Sequence, residues 1–284
     1  MDIICPSNHD FPLIKAFIKP YEEMCVLLAS YVRRRSDKIY VIVKNKEKVL
    51  TSLDDIIGVL YVDSTLFHCI PNLLLLDSVY MLKFILKLSK VKKIKCISGE
   101  ADGTDFFLNL FKVKERKAYQ INDYRLMVST TLPYTVIKPL AKKEHIIRCT
   151  ENDMDELLTI QRKYIKEEVA PKGKSISDLE VAMSLRQILR GQLCLALFSN
   201  NEVVAKANTN AIGIDWIQIG GVYTHPFHRR KGYALHLVCS ICRRAVRLNK
   251  QVSLFVKEKN IPAIRLYKKI GFDEREYYKI AYFN

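Results

Sequence analysis

The sequence predicts an α/β fold of the α+β kind, a mixed, mostly antiparallel sheet flanked by helices and laid out in two halves of similar element order. Three observations carry this expectation. Residues 193–198, 203–210 and 216–223 are strand-like runs joined by short turns, Ser199-Asn200-Asn201 among them, and so read as an antiparallel meander. The third run empties into a basic, glycine-containing turn and then into a helical pattern. Part of the same succession of strands and helices occurs earlier in the chain, without that turn.

A chain of 284 residues, 49% hydrophobic, is globular and long enough for two domains. They are expected at 1–130 and 144–284, with 131–143 as linker. The stretch 129–143 holds two prolines, lacks a helical period and ends in basic residues. In the first half, strands are expected at 39–43 and 57–62, a long apolar helix at about 74–88, a strand at 94–98, a helix at 105–111 and a last strand near 124–128. After Val62 the sequence Asp63-Ser-Thr-Leu-Phe-His-Cys-Ile-Pro71 has neither glycine nor a basic residue, so no anion cradle is expected there. Acidic residues alternate through Gly99–Asp105, but the closing glutamate of a calcium loop is missing, and the segment reads as a strand-to-helix turn.

The second half opens with a strand at 146–148. Thr150-Glu-Asn-Asp153 looks like a helix cap, and Met154, Leu157, Leu158, Gln161 and Ile165 follow at helical spacing. A second helix is expected at about 178–190, before the meander. Beyond the basic turn, Ala234, Leu237, Val238, Ile241, Ala245 and Leu248 recur on one helical face, with Arg243, Arg247 and Lys250 opposite. A short strand at 252–256 precedes a last helix, which Asn260 can cap, an early Pro262 can enter and Gly271 can end.

Composition narrows the function classes. No segment reaches the ~18 to 20 apolar residues of a membrane span, and Met1-Asp-Ile-Ile-Cys-Pro lacks the charged and apolar regions of a signal peptide. A cytoplasmic protein without a membrane partner is expected. Eight cysteines, Cys5, Cys25, Cys69, Cys96, Cys149, Cys194, Cys239 and Cys242, lie at irregular intervals in apolar context, so no disulfides are expected. Cys239-x-x-Cys242 with His236 has no second ligand pair and reads as a helix core, with no metal. The formal charge of +16 is spread along the chain in short runs such as Arg33–Arg35, Lys90–Lys93 and Arg229–Lys231. With no groove-reading module in view, nucleic acid is not the expected partner, and part of the excess charge suits attraction of a polyanionic cofactor.

The turn itself is Arg229-Arg230-Lys231-Gly232-Tyr233-Ala234. Free amides and the positive dipole of a helix N-terminus favour an anion there, Gly232 allows close backbone approach, and small Ala234 allows tight helix packing. A nucleoside-triphosphate loop or a dinucleotide fingerprint would need glycines that are absent. The spacing Arg229-x-x-Gly232-x-Ala234 resembles the pyrophosphate-binding signature of the GNAT superfamily of acyl-CoA-dependent N-acetyltransferases. The later run is similar to that superfamily's second signature at Asn260, Ala263, Leu266, Tyr267, Gly271 and Phe272. Order, spacing and intervening elements agree, which implies two GNAT-like domains in tandem, the first a degenerate copy.

The resemblance implies acetyl transfer from acetyl-CoA to an amine, expected to be a small molecule. Under it, the backbone of Val222, Tyr223 and Thr224 pairs with the cofactor arm, and an amide of that stretch faces the developing oxyanion. The amides of Arg229, Arg230, Lys231, Gly232, Tyr233 and Ala234 hold pyrophosphate, Asn260 contacts the arm or caps its helix, and Tyr267 protonates the departing thiolate. Gln218 stands where histone-type members carry a glutamate base, and an amide cannot take a proton at neutral pH. Asp215, Glu167 and Glu168 are the nearest alternative bases. Two other readings stay open, aminoacyl transfer from charged tRNA and a non-catalytic acyl-CoA-sensing module. The acceptor's identity and the oligomeric state are also open.

Overall fold

The computed structural model describes residues 1–44, 50–89, 93–113, 115–130, 137–170 and 175–284. Residues 131–136 of the expected linker, and most of the basic run Lys90–Lys93, lie outside the described residues. The described strands are β1 (Asp2–Ile4), β2 (Ile39–Val43), β3 (Ile56–Val62), β4 (Thr65–Cys69), β5 (Cys96–Glu100), β6 (Gln120–Ser129), β7 (Glu144–Arg148), β8 (Cys194–Ser199), β9 (Glu202–Ile212), β10 (Trp216–Thr224), β11 (Gln251–Lys257) and β12 (Asp273–Tyr282). All belong to one sheet, in the order β1-β2-β3-β4-β5-β12-β6-β11-β10-β9-β8-β7. The β4–β5 and β10–β11 pairs are parallel and the others antiparallel.

The middle of that order carries an exchange. β6, from the first half, lies between β11 and β12, while β12, from the far end of the chain, lies between β5 and β6. Each half therefore contributes a strand to the other's hydrogen-bonding ladder. A buried carboxylate adds a second tie. Glu22 is fully buried and accepts the amides of Ile214, Asp215 and Trp216 in the turn between β9 and β10. An isolated buried carboxylate would be costly, and three amide donors offset that cost.

Helices cover both faces. They are α1 (Phe11–Ile18), α2 (Val26–Arg33), α3 (Ser78–Ser89), α4 (Ala101–Lys112), α5 (Met154–Tyr164), α6 (Asp178–Gly191), α7 (Tyr233–Arg247) and α8 (Ile261–Ile270). Val26 of α2 packs with Leu126 and Val128 of β6 and with Ala211 and Trp216 of the second half. On the other face Leu237, Val238 and Ile241 of α7 and Ile264 and Ile270 of α8 pack on Met127, Leu254 and Val256. Cys239 and Cys242 are buried in that same cluster, as the helix-core reading has it. β3 is buried at every position, which is why its run is apolar without alternation.

Several boundaries differ from those expected. Asp63 and Ser64 turn the chain, and β4 follows them at once, antiparallel to β3 and parallel to β5. The strand that precedes α3 is thus β4 and not the run ending at Val62. α3 begins at Ser78, not 74: Leu73–Leu75 form a separate short 3-10 turn with Asn72 accepting the amide of Leu74. α4 begins at Ala101 and not at 105, since Glu100 receives the amides of Asp102 and Gly103 and caps it there. β1, α1 and α2 stand outside the elements expected from the sequence.

Candidate active site

β10 and β11 pair only over Trp216–Ile219 with Gln251–Leu254. Beyond Ile219 they part, while β10 stays on β9 through an irregularity between Gly220 and Tyr223. Gly221 sits at φ +59°, and a Cβ there would fall 1.8 Å from Asn208 Oδ1, so only glycine fits. Such a bulge re-aims the strand, and the backbone of 220–224 is left without a strand partner toward β11. The parted strands open a cavity of about 940 Å³, within the range of small-molecule sites.

Val222, Tyr223 and Thr224 line one wall of this cavity, and Arg229, Arg230, Gly232, Tyr233 and Ala234 line its rim. Lys231 is exposed and does not line it. Gly232 is the residue before α7, at φ +85°, with no side-chain cap on the helix and open space for 4 Å around the point where a Cβ would stand. Arg230 also adopts a left-handed conformation, φ +68°. Together they turn the chain so that the first amides of α7, which have no partners in the helix, face open space.

Two side chains of the turn reach back into the protein. Arg229 Nη2 donates to Glu167 Oε2 at 2.6 Å, its Nε donates to the Thr224 carbonyl at 3.1 Å, and its guanidinium lies 5.6 Å from the Tyr223 ring centre. Tyr223 also donates to Glu167, at 2.8 Å. Burial would raise the Glu167 carboxyl, but these hydrogen bonds outweigh it and hold the group below its usual range. Tyr233 is buried and its hydroxyl donates to Glu144. The Arg229 and Tyr233 side chains are thus tied into the protein, and the Arg229 amide is itself taken by the Pro226 carbonyl at 3.2 Å.

Strand register assigns the rest of the lining to two faces. Leu254 and Val256 point toward α7 and α8, where Tyr267 is also buried and lines the cavity. Burial pushes the Tyr267 phenol up, well beyond its ordinary value. Asn260 accepts the amide of Ala263 at 3.2 Å, the capping role, and lines the cavity too. On the opposite face, Lys257 of β11 pairs in register with Tyr124 of β6, which pairs with Tyr278 of β12. Tyr124, Lys257, Ile280 and Tyr282 line the cavity there, joined by Tyr164 and Glu168 from the end of α5. The cavity thus passes through the sheet between β10 and β11.

Glu168 lies in a wide π-type turn, Ile165–Val169, that continues α5. It is the one carboxylate among the described residues lining the cavity, and it pairs with Lys257 at 3.3 Å. Gln218 lines the cavity and is 8% exposed. Asp215, considered as a base, lies outside the lining and pairs with Lys19 at 2.9 Å.

Sequence reasoning missed Lys206. It is fully buried on β9, donating to Asn208 Oδ1 at 2.9 Å and to the Gly221 carbonyl at 3.2 Å, with Tyr164 4.8 Å below its ammonium. Burial pushes its pKa down to about 8, against a small opposing pull from Cys194 and Cys149. A lysine set between Val203-Val204-Ala205 and Ala207 was the available signal. Between pH ~8 and ~10.4 the folded chain holds one proton fewer here than the unfolded chain, so this residue makes stability rise with pH in that window. Lys206→Met is expected to flatten the rise by up to about 1.4 kcal/mol per pH unit, read from denaturant melts at pH 7.5 to 10. Equal slopes in the two proteins would mean that Lys206 titrates as an ordinary lysine.

At the sheet's other parallel pair, β4 and β5, side chains fill the space between the strands. β4 and β5 pair from Thr65 to Phe67, and His68 is buried beyond the last pair, Nε2 3.0 Å from Thr104 Oγ1. A Cβ on Gly99 would come 2.0 Å from the His68 ring, so the ring occupies the space between strands and glycine. Burial lowers its pKa to about 3 and keeps it neutral. At the head of α3, Asp77 Oδ1 accepts the amide of Tyr80 at 3.0 Å. A carboxylate thus occupies the helix end that Gly232 leaves open in the second half.

The FR47-like protein family model matches residues 197–280, from β8 into β12. Among solved structures, an X-ray structure of a Drosophila protein is 12% identical, with 99% of this chain and 98% of that chain covered and a TM-score of 0.70. A GCN5-related N-acetyltransferase from Sphaerobacter thermophilus is 15% identical (99% and 94% covered, TM-score 0.58), and a GNAT-family acetyltransferase from Colwellia psychrerythraea is 10% identical (100% of each, TM-score 0.55). No curated protein matches the sequence. At these identities the likeness is one of fold.

Proposed function

We propose that this chain, whose fold over its whole length is that of the GNAT superfamily, transfers an acyl group, acetyl in the first instance, from acyl-CoA to an amine, with the working site in its second half. One observation carries the reading: the uncapped N-terminus of α7 adjoins the mouth of a cleft where β10 and β11 part, and the cleft runs through the sheet. An extended arm bearing a pyrophosphate needs both features, free amides at one end and an unpaired strand edge along its length. When bound, the co-substrate supplies the activated acyl carbon and a thiolate leaving group.

The chain's residues divide the remaining work. Amides of Arg230 to Ala234 receive the anion, the backbone of Val222 to Thr224 aligns the arm, and an amide of that stretch is available to a developing oxyanion. Tyr267 holds a proton on the α7 and α8 side of the cleft. Gln218, in the place of a base, favours as a second reading a module that binds acyl-CoA without turning it over.

The two readings separate in one experiment on the full chain. Calorimetry with CoA and thiol release from acetyl-CoA in a mixed pool of amines are expected to give binding and amine-dependent release. Binding without release for any amine would favour the sensing module. Absence of CoA binding would sink both.

A further inference from the structure

We propose that the acceptor is an α-amino acid with an apolar or aromatic side chain, its ammonium held by Glu168 and its carboxylate by Lys257. The proposal rests on the acyl-transfer reading and assigns the substrate class of the same cavity. Glu168 and Lys257 both line the cavity on the face opposite α7, and their charged atoms are 3.3 Å apart with side chains 32% and 31% exposed. A negative and a positive group side by side on a wall fit a ligand with a positive and a negative group side by side. A plain monoamine would meet Glu168 only by leaving Lys257 unpaired, and the second charge of a polyamine would face Lys257 itself.

The remaining wall sets the side chain. Tyr124, Tyr282 and Ile280 line the cavity on the same face with rings and an aliphatic branch, surface suited to an apolar or aromatic body. Tyr164 closes the side next to β9, under the Lys206 ammonium. Tyr124 comes from β6, so the first half, where His68 fills the space between β4 and β5, supplies part of the acceptor wall in the second. In the transfer the amine N–C bond forms and the thioester C–S bond breaks. Of the two protons the ammonium loses, one goes to sulfur and the other to water.

The test is calorimetry on the full chain saturated with CoA, titrated with phenylalanine and leucine and with the amines that lack their carboxylates, 2-phenylethylamine and isoamylamine. At least one amino acid is expected to bind roughly ten-fold or more tightly than its amine, the value of one charge-assisted contact. Lys257→Met should abolish that preference, and Glu168→Gln should weaken amino acid and amine together. Thermal melts check that both variants fold. Equal or tighter binding of the amines, a preference that survives in Lys257→Met, or no binding of any of the four would overturn the proposal. CoA binding and thiol release with other amines would then still uphold acyl transfer, so the two failures are distinct.

Discussion

Gly232→Glu is expected to weaken CoA binding by at least about 100-fold while the chain stays folded. Two effects combine. The new carboxylate projects into the space in front of α7, where nothing lies within 4 Å of the added Cβ, and repels the phosphates that the helix end would attract. It also serves as an internal cap for amides that would otherwise reach the anion, at about 1.5 kcal/mol or more for each charge-assisted bond lost, so two such losses suffice for the factor of 100. The left-handed backbone, φ +85°, adds strain of about 1 to 2 kcal/mol for any side chain. Gly232→Ala carries only the strain, and it should lower the melting temperature with little change in affinity. Calorimetry with CoA on the three proteins decides the matter: a folded glutamate variant that binds like the wild type would assign the turn to another ligand. Asp77, which caps α3 from within, is the natural precedent for the glutamate.

The second large effect is on turnover. Tyr267→Phe keeps the ring that packs 5.9 Å from Phe272 and removes the hydroxyl of a residue that lines the cleft. If that hydroxyl protonates the leaving thiolate, kcat should fall by roughly 100-fold with CoA affinity unchanged. Burial raises the phenol's pKa, so the proton is present across the working pH range, and no alkaline fall in kcat below pH ~9 should trace to this residue. Undiminished turnover with an identified amine, and with chemistry rate-limiting, would leave Tyr267 as a packing residue.

Much of the second half was legible because its signals are local. The period of α7, the cap at Asn260 and the glycines at 232 and 271 each act within a few residues, and the structure has each where the pattern put it. The parting of β10 and β11 was not legible, since it depends on Gly221, Asn208 and Lys206 meeting across two strands. Arg229 shows the same limit. Its place in the turn follows from spacing, but its engagement with Glu167 comes from a helix end 62 positions away in sequence. In the first half β4 is hidden because its five residues, which begin directly after the Asp63-Ser64 turn, are too few to show a period. The places of β6 and β12 could not be read at all, because strand neighbours in space are set by topology and not by the strands' own sequence.

That exchange of β6 and β12 has a consequence for the order in which the molecule can assemble. Both sheet neighbours of β6, β11 and β12, lie in the second half, and so does one neighbour of β5, which is β12 at residues 273–282. During synthesis β6 therefore has no strand to pair with, and one edge of β5 stays open, until the second half has been made. Neither half is a finished unit before the other, and the sheet is continuous only once residues 273–282 lie between β5 and β6.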